Sequence, residues 1–355
     1  MIRAKDRPAQ TELSRTELVG KLCAGFAPQQ ARLIENALDT ALSANADLDR
    51  PRGIDVALIL RKLKVDARTL QAALLTDPPL REALAEDFIR EHYGESVATL
   101  VRNVNWLNTF NQYSPEIIKV PEQAETLRRM LLSMTSDVRA VLIKLAYRVR
   151  RLRILARQDS QLRRYIAQET MDIYAPLANR LGIGQLKWEL EDLAFRYLEP
   201  DAYKKLVGSL AENRTNREAY IQDFVQRLTG TLESQGIVAK VHGRPKHIYS
   251  IWRKMQRKQV ELDELFDLLA VRIIVDKIST CYEILGVVHS LWQYIPKEFD
   301  DYIANPKDNG YQSLHTVVIG PGGAKIEIQI RTREMHEFGE LGVAAHWWYK
   351  EGGKQ

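Results

Sequence analysis

The sequence has few features of a secreted or membrane-spanning protein. It contains two cysteines in 355 residues, Cys23 and Cys281, and they form no CxxC pair. Two cysteines so far apart favour neither a disulfide framework nor a zinc site, and they suit a reducing compartment. The apolar run LLAVRIIV is interrupted by Arg272 and is much shorter than the roughly 20 residues that a membrane-spanning helix needs. We therefore expect a cytoplasmic protein with no signal peptide and no membrane partner.

The phosphate-binding loop GxxxxGK[ST] is also missing, so any phosphate site must be built differently. The net charge of +5 suits an anionic partner, and both nucleotide and nucleic acid fit that description. Six of the seven histidines fall in the last third of the chain. We therefore look for the chemistry in that part of the sequence.

The two parts of the chain have different hydrophobic patterns. Residues 10–200 predict consecutive helices; residues 125–155, for example, carry apolar side chains at helical spacing and predict one basic helix. After Gly236, short β-rich runs alternate with helical segments, which is typical of an α+β fold. We place an all-α domain at 1–200, connecting helices at 201–235 and an α+β domain at 236–355.

The segment GRPKHIYSIWRKMQRK predicts a basic amphipathic helix over residues 245–258, with Pro245 in its first turn. Its apolar side chains recur at helical spacing, and its basic side chains share the opposite face. A helix N-terminus with cations along one face favours phosphate. A plain solvated basic face would give the same charge pattern.

Two carboxylates lie in or next to predicted strands. In IEIQIR, Glu327 shares one strand face with Gln329 and Arg331, while the isoleucines share the other. Asp267 immediately precedes the strand-like LLAVRIIV. Two carboxylates from separate strands suit Mg²⁺, although each alone is more often an ordinary surface group. Asp267 and Arg272 are five positions apart, so both can line one site only if the chain bends or the strand begins after Asp267.

The loop YIPKEFDDYIANPKDNGYQSLHT and the segments GRPKHIYSIWRKM, LFDLLAVRIIV and IEIQIRTREMHEFGELGVAAHW, in this order, closely resemble the RelA/SpoT homologue family of alarmone synthetases. The resemblance covers nearly the whole chain. It implies a nucleotidyltransferase-like domain with a mixed sheet and flanking helices, preceded by an all-α HD-type domain. It also implies transfer of the β,γ-pyrophosphate of ATP to the 3′-hydroxyl of GDP or GTP, in the stringent response.

Matching the motifs position by position assigns roles to individual residues. Asp267 and Glu327 resemble the family's Mg²⁺ ligands, and Glu327 is also the candidate general base. Residues that resemble the family's ATP-binding groups are Arg244, Lys246, Ser250, Lys254, Arg272 and Gln329. Residues that resemble its GDP- or GTP-binding groups are Lys307, Asn309, Tyr311, Gln312 and His315. Arg244 and Arg272 match the arginines that sandwich adenine, and Tyr311 matches the tyrosine that stacks on guanine.

The first domain lacks most side chains of the family's Mn²⁺-dependent hydrolase site. The HDxxED stretch falls on residues 76–81, where only Asp77 is retained, and Tyr147 in KLAYR takes the place of an aspartate. The upstream His-Pro pair falls on Arg52 and Gly53. We therefore expect a degenerate hydrolase domain that binds no Mn²⁺.

The acidic stretch EFDD supplies Glu298, Asp300 and Asp301, where bifunctional family members tend to be basic. It predicts a RelA-type monofunctional synthetase that favours GDP. Long family members sense the ribosome and uncharged tRNA through C-terminal domains, which are absent from this sequence. Two alternatives remain open: another Mg²⁺-dependent nucleotidyltransferase acting on RNA ends, and a non-catalytic nucleotide- or RNA-binding module using the basic helix and HWWYK.

Overall fold

The chain divides into two compact units. A computed structural model describes residues 13–44, 50–109, 121–133, 137–212, 214–244, 246–260 and 269–344. Residues Met1–Asn179, Gln185–Tyr197 and Leu341–Gln355 form the first unit, and residues Arg180–Gly184 and Leu198–Glu340 form the second. None of the helices in the described ranges is long and apolar enough to cross a membrane.

Every regular element that the structure describes up to residue 198 is helical, as the sequence predicts. The α-helices are α1 (Arg15–Cys23), α2 (Pro28–Ser43), α3 (Gly53–Arg61), α4 (Ala67–Leu75), α5 (Leu80–Ala83), α6 (Glu86–Tyr93), α7 (Glu95–Thr109), α8 (Pro121–Ser133), α9 (Val138–Ile154), α10 (Ser160–Glu169), α11 (Ala175–Arg180) and α12 (Gly184–Leu198). A π-helical turn, Thr170–Tyr174, joins α10 to α11. The buried surfaces of these helices are dominated by leucine, alanine, valine and isoleucine.

The prediction of one helix over 125–155 is wrong, because this segment contributes to two helices, α8 and α9. The described part of α9 begins after Asp137, whose carboxylate accepts a 2.9 Å hydrogen bond from the amide of Arg139. Such an N-cap satisfies a backbone donor that an uninterrupted helix would pair internally. Apolar spacing alone does not reveal the break, because both helices keep the same period.

The second unit contains the remaining helices and a five-stranded mixed sheet. The elements are α13 (Pro200–Glu212), α14 (Arg214–Ser234), β1 (Lys240–Gly243), α15 (Ile248–Lys258), β2 (Leu269–Val275), α16 (Ile278–Leu291), β3 (Asp300–Asp301), β4 (Leu314–Ile319), β5 (Lys325–Thr332) and α17 (Arg333–Leu341). The strand order is β1-β2-β5-β4-β3; only β2 and β5 are parallel. The predicted α+β fold with a mixed sheet and flanking helices is confirmed.

One face of the sheet carries the hydrophobic core. Ile326, Ile328 and Ile330 of β5 are fully buried, as the alternation in KIEIQIRT predicts. Their core cluster includes apolar side chains from α14 and α16. Burying this much apolar surface on one face fixes the strand register, because a slip of one residue would turn the isoleucines outward. The opposite face of β5 is therefore fixed as the face that carries Glu327.

The GPGG segment, whose residues are typical of a hairpin turn, joins β4 to β5 as a hairpin connection. Gly322 and Gly323 have φ of 69° and 79°, in the region that side chains with a Cβ atom avoid.

The basic helix α15 begins at Ile248 rather than at residue 245, with His247 as its N-cap. Lys246 therefore precedes the helix, so the prediction that it belongs to the basic face of this helix is wrong. The proposed first-turn role of Pro245 lies outside the described residues.

Candidate active site

The face of the sheet opposite the core carries an unbroken row of polar residues. Strand register places one residue from each of the five strands side by side: His242, Arg272, Gln329, His315 and Asp300. Neighbours in register project from the same face of a sheet. The row therefore brings residues that are distant in the sequence to one surface.

Glu327 lies one position further along this face of β5. Its Oε2 atom is 2.6 Å from the Nζ atom of Lys246, and its Oε1 atom accepts a 2.7 Å hydrogen bond from Gln329. Burial raises the pKa of Glu327, but the Lys246 ammonium and the hydrogen bonds from Lys246 and Gln329 outweigh it and lower the pKa to about 2. The carboxylate is therefore ionised at neutral pH.

Two buried guanidinium groups share a single carboxylate beside this row. The Oε1 atom of Glu340 accepts a 2.9 Å hydrogen bond from Arg272 and a 3.1 Å hydrogen bond from Arg331. Burial, together with the charges of Arg331 and Arg244, lowers the pKa of Arg272 to about 10, so it stays protonated. The Nε atom of Arg272 and the Nε and Nη1 atoms of Arg331 are buried without a hydrogen-bond partner in the described structure. Buried donors of this kind favour an acceptor group at the site.

An aromatic cluster lies on the β4 side. The hydroxyl of Tyr311 and the Nε2 atom of His315 share a 2.9 Å hydrogen bond. Burial lowers the pKa of His315 to about 4; the charges of Lys307 and Arg244 act in the same direction and that of Glu327 opposes them. His315 is therefore neutral at physiological pH. The ammonium of Lys307 lies over the ring of Tyr302, 4.2 Å from its centroid, and 5.5 Å from that of Tyr311.

Two predicted acceptor-side residues bond to the loop that carries them. The Oδ1 atom of Asn309 accepts a 3.2 Å hydrogen bond from the amide of Tyr311, and Gln312 donates a 3.1 Å hydrogen bond to the carbonyl of Ile303. Both contacts hold the loop that presents Tyr311.

The three acidic residues before this loop have different surroundings. Asp301 accepts hydrogen bonds from the amides of Ile303 and Ala304 and from the hydroxyl of Tyr282. Asp300 pairs with His315 in the strand register, and Glu298 lies 3.4 Å from Lys258 at the end of α15. Asp301 thus fixes a turn, whereas Asp300 lies next to the aromatic cluster.

The structure therefore brings five of the predicted site residues to one face of the sheet: Arg272, Asp300, His315, Glu327 and Gln329. Lys246 contacts Glu327 there, and Tyr311 contacts His315. Ser250 is exposed on α15, and Lys254, one turn later, is half-buried. Asp267 lies outside the described residues; the described β2 begins at Leu269, two positions after it. The described residues contain no group of three His, Cys, Asp or Glu side chains arranged to bind one metal ion.

Five further side chains at the site match none of the sequence motifs to which a role is assigned above: Arg331, His336, Glu340, His242 and Tyr302. Arg331 follows Glu327 and Gln329 in the strand alternation, which predicts that it lies on the same face. His336 and Glu340 are four apart on α17, a spacing that also occurs on ordinary solvated helices. Only the packing of α17 shows that His336 accepts a 2.6 Å hydrogen bond from Arg331 through Nδ1.

The chain is similar to several known proteins. Residues 243–354 match the family model described as a region found in RelA/SpoT proteins, and residues 31–184 match the HD domain model. A GTP pyrophosphokinase of Photobacterium angustum is 54% identical over 85% of this chain and 41% of its own length. Through residues 243–354 the chain is similar to the RelA/SpoT family. It spans about two fifths of the length of such relatives.

Two other similar proteins have names that differ from GTP pyrophosphokinase. A guanosine-3′,5′-bis(diphosphate) 3′-pyrophosphohydrolase of Aquifex aeolicus is 42% identical over 96% of this chain and 49% of its own length. Among solved structures, small alarmone synthetase 1 of Bacillus subtilis is 25% identical over 41% of this chain and 82% of its own, with a TM-score of 0.32.

The region that matches the HD domain model contains an ion pair between Arg52 and Asp77. Asp77 is buried; the Nε atom of Arg52 lies 3.5 Å from its Oδ2 atom, which also accepts a 3.2 Å hydrogen bond from the amide of Gly53. Burial raises the pKa of Asp77, and Arg52 opposes that shift. A guanidinium group thus lies where the resemblance implies a metal-binding histidine. His92 lies on α6, where it stacks on Phe88 with ring centroids 4.0 Å apart.

Proposed function

We propose that the chain is an ATP:GDP/GTP 3′-pyrophosphotransferase that makes (p)ppGpp and AMP. The observation that carries the proposal is the ionised Glu327, held by Lys246 on a sheet face that it shares with His315, the partner of Tyr311. The relatives named GTP pyrophosphokinase support the same activity. The proposal extends to this chain what those names state for longer proteins.

On the ATP side, Arg244 and Arg272 would sandwich adenine. Guanidinium planes stack well on aromatic rings, and the unpartnered Nε atom of Arg272 adds a donor for a polar edge. Lys246, Ser250 and Lys254 would contact the phosphates. Gln329 would hold Glu327 in position through their hydrogen bond.

On the acceptor side, Tyr311 would stack on guanine and Lys307 would contact the phosphates. His315 fixes the hydroxyl of Tyr311, and Asn309 and Gln312 support the loop. Base-aromatic stacking contributes about 1–3 kcal/mol per base.

In the reaction, the 3′-oxygen of the acceptor attacks the β-phosphorus of ATP, and the bond from that phosphorus to the oxygen bridging it to the α-phosphate breaks. AMP leaves with the electron pair, and Glu327 takes the hydroxyl proton. A carboxylate with a pKa near 2 is a weak base. ATP phosphates that attract Lys246 away from Glu327 would free the Oε2 atom of the carboxylate to accept the proton.

The residues fit a magnesium ion at this position. The ionised carboxylate of Glu327 is a hard oxygen ligand, and Asp267 would supply a second one. Bound Mg²⁺ would neutralise phosphate charge during the transfer.

The experiment that tests these roles is Glu327→Gln. We expect transfer to fall by at least about 100-fold, as for the loss of a general base, while ATP and GDP still bind. Transfer rates and calorimetric titrations measure the two effects. A variant that retains near-normal transfer would contradict the role of Glu327.

We further propose that the acidic stretch favours GDP over GTP, with Asp300 as the residue nearest the acceptor because it pairs with His315. The variant Glu298→Lys/Asp300→Lys should shift the ratio of kcat/KM values toward GTP, because added cations attract the additional phosphate. Equal use of GDP and GTP, unchanged in the variant, would refute this preference.

We also propose that the HD domain has no hydrolase activity and binds no Mn²⁺, on the basis of the Arg52–Asp77 pair. From the family we infer a cytoplasmic location. Contacts with the ribosome and uncharged tRNA would require domains outside this sequence.

A further inference from the structure

Glu340 lies between Arg272, which the proposed function assigns to ATP, and Arg331, which lies next to the acceptor-side Tyr311. Its Oε1 atom accepts hydrogen bonds from Arg272, on the ATP side, and from Arg331. The guanidinium carbon of Arg331 lies 5.9 Å from the ring centroid of Tyr311, on the acceptor side. A chain of direct contacts therefore runs from Arg272 through Glu340 and Arg331 to Tyr311.

The two guanidinium groups that bond to Glu340 both depend on its negative charge. Arg331 is fully buried and Arg272 is 6% exposed, so both cations depend on nearby negative charge. One oxygen of Glu340 bonds to both, and the neighbouring His336 is neutral because burial and these arginines lower its pKa to about 4. Any movement of one guanidinium group therefore changes how strongly the carboxylate holds the other.

We propose that Glu340 is a positioning residue that couples the ATP site to the acceptor site; this inference rests on the proposed function. When adenine stacks on Arg272, that guanidinium gives up part of its bond to Glu340. The carboxylate then holds Arg331 more firmly against Tyr311, and the ring becomes better ordered for guanine. ATP therefore tightens acceptor binding, and by linkage the acceptor tightens ATP binding by the same factor.

The test is calorimetric titration of GDP into the 355-residue chain with Mg²⁺, with and without α,β-methylene-ATP. This analogue cannot transfer its pyrophosphate, because a methylene group replaces the oxygen that must leave. In the unaltered chain we expect the analogue to lower the Kd of GDP at least about fivefold, the lower end of typical coupling between sites. In Glu340→Gln, the ratio of the GDP Kd without the analogue to the GDP Kd with it should fall close to one.

Glu334→Gln is the matched control, because Glu334 is exposed on the same helix and loses the same charge. Glu334→Gln should retain the full ratio of GDP Kd values. If any lost charge on α17 had the same effect, Glu334→Gln would lower this ratio as well. If Glu340→Gln fails to fold by circular dichroism, Glu340→Asp keeps the charge but shortens the reach, and its ratio should also fall.

The possible failures are distinguishable. A chain that makes AMP and ppGpp but shows a ratio of one, or a Glu340 variant that keeps the full ratio, would overturn the coupling and leave the proposed function intact. A chain that binds GDP but transfers nothing to it would contradict the proposed function itself.

Discussion

At the scale of single residues, the contact between Lys246 and Glu327 has the greatest chemical consequence. It keeps a half-buried carboxylate ionised, and it joins a residue before α15 to the middle strand of the sheet. The same ammonium is a candidate phosphate ligand. One side chain therefore serves both to hold the carboxylate and to respond to the substrate.

His315 gives a prediction about pH. Burial lowers its pKa from an ordinary 6.5 to about 4 in the folded chain, so between these values only the unfolded chain binds the proton. The stability linked to His315 is therefore fully present above pH 6.5 and is lost as the pH falls toward 4. In His315→Gln, the difference in unfolding free energy between pH 7 and pH 5 should shrink by about 1–2 kcal/mol. Urea unfolding at both pH values measures this free-energy difference. If the unaltered chain and His315→Gln show the same difference between pH 7 and pH 5, the lowered pKa of His315 is refuted.

At the scale of elements, α17 lies close to β5 and to the loop of Tyr311. A Cβ atom added at Gly339 would lie 2.9 Å from the Nη1 atom of Arg331 and 3.2 Å from the ring of Tyr311. A glycine inside a helix is otherwise unfavourable, so close packing explains its presence here.

Two helical glycines give a matched pair of substitutions. Gly339→Ala should destabilise the chain by about 1–3 kcal/mol through overpacking, and it should raise the KM for the acceptor by displacing Tyr311. Gly286→Ala in α16 should stabilise the chain by about 0.5–1 kcal/mol, because the added methyl meets no atom within 4 Å. Thermal unfolding of both variants measures the effects. Equal shifts of the melting temperature in the same direction for both variants would contradict the close packing of α17.

The sequence predicts the elements whose periodicity is strong. The alternation in β5 correctly gives its two faces, and the GPGG turn correctly gives the hairpin. The break between α8 and α9 is missed because a side-chain cap interrupts a pattern that keeps its period. The shared carboxylate of Glu340 is missed as well. It depends on α17 packing against β5, and a local helical pattern carries no information about that contact.

At the scale of the whole molecule, the two units differ in what their sites retain. The sheet face of the second unit keeps carboxylate, cationic and aromatic groups together, whereas the HD domain keeps one aspartate paired with an arginine. This asymmetry is the physical basis for expecting synthesis without hydrolysis.

Incubation with ppGpp and Mn²⁺ tests that expectation. We predict no release of pyrophosphate, because a guanidinium group paired with Asp77 repels a cation instead of binding it. Thin-layer chromatography of labelled ppGpp provides the measurement, and a family member named as a pyrophosphohydrolase is the positive control. Release of GDP and pyrophosphate that depends on Mn²⁺ would contradict the proposal.

The central claim is tested most directly by identifying the products formed from ATP, Mg²⁺ and GDP. We expect AMP and ppGpp in equal amounts from the purified chain, and neither above background from Glu327→Gln. ADP and inorganic phosphate as the nucleotide products, or the absence of turnover while GDP still binds, would contradict the account.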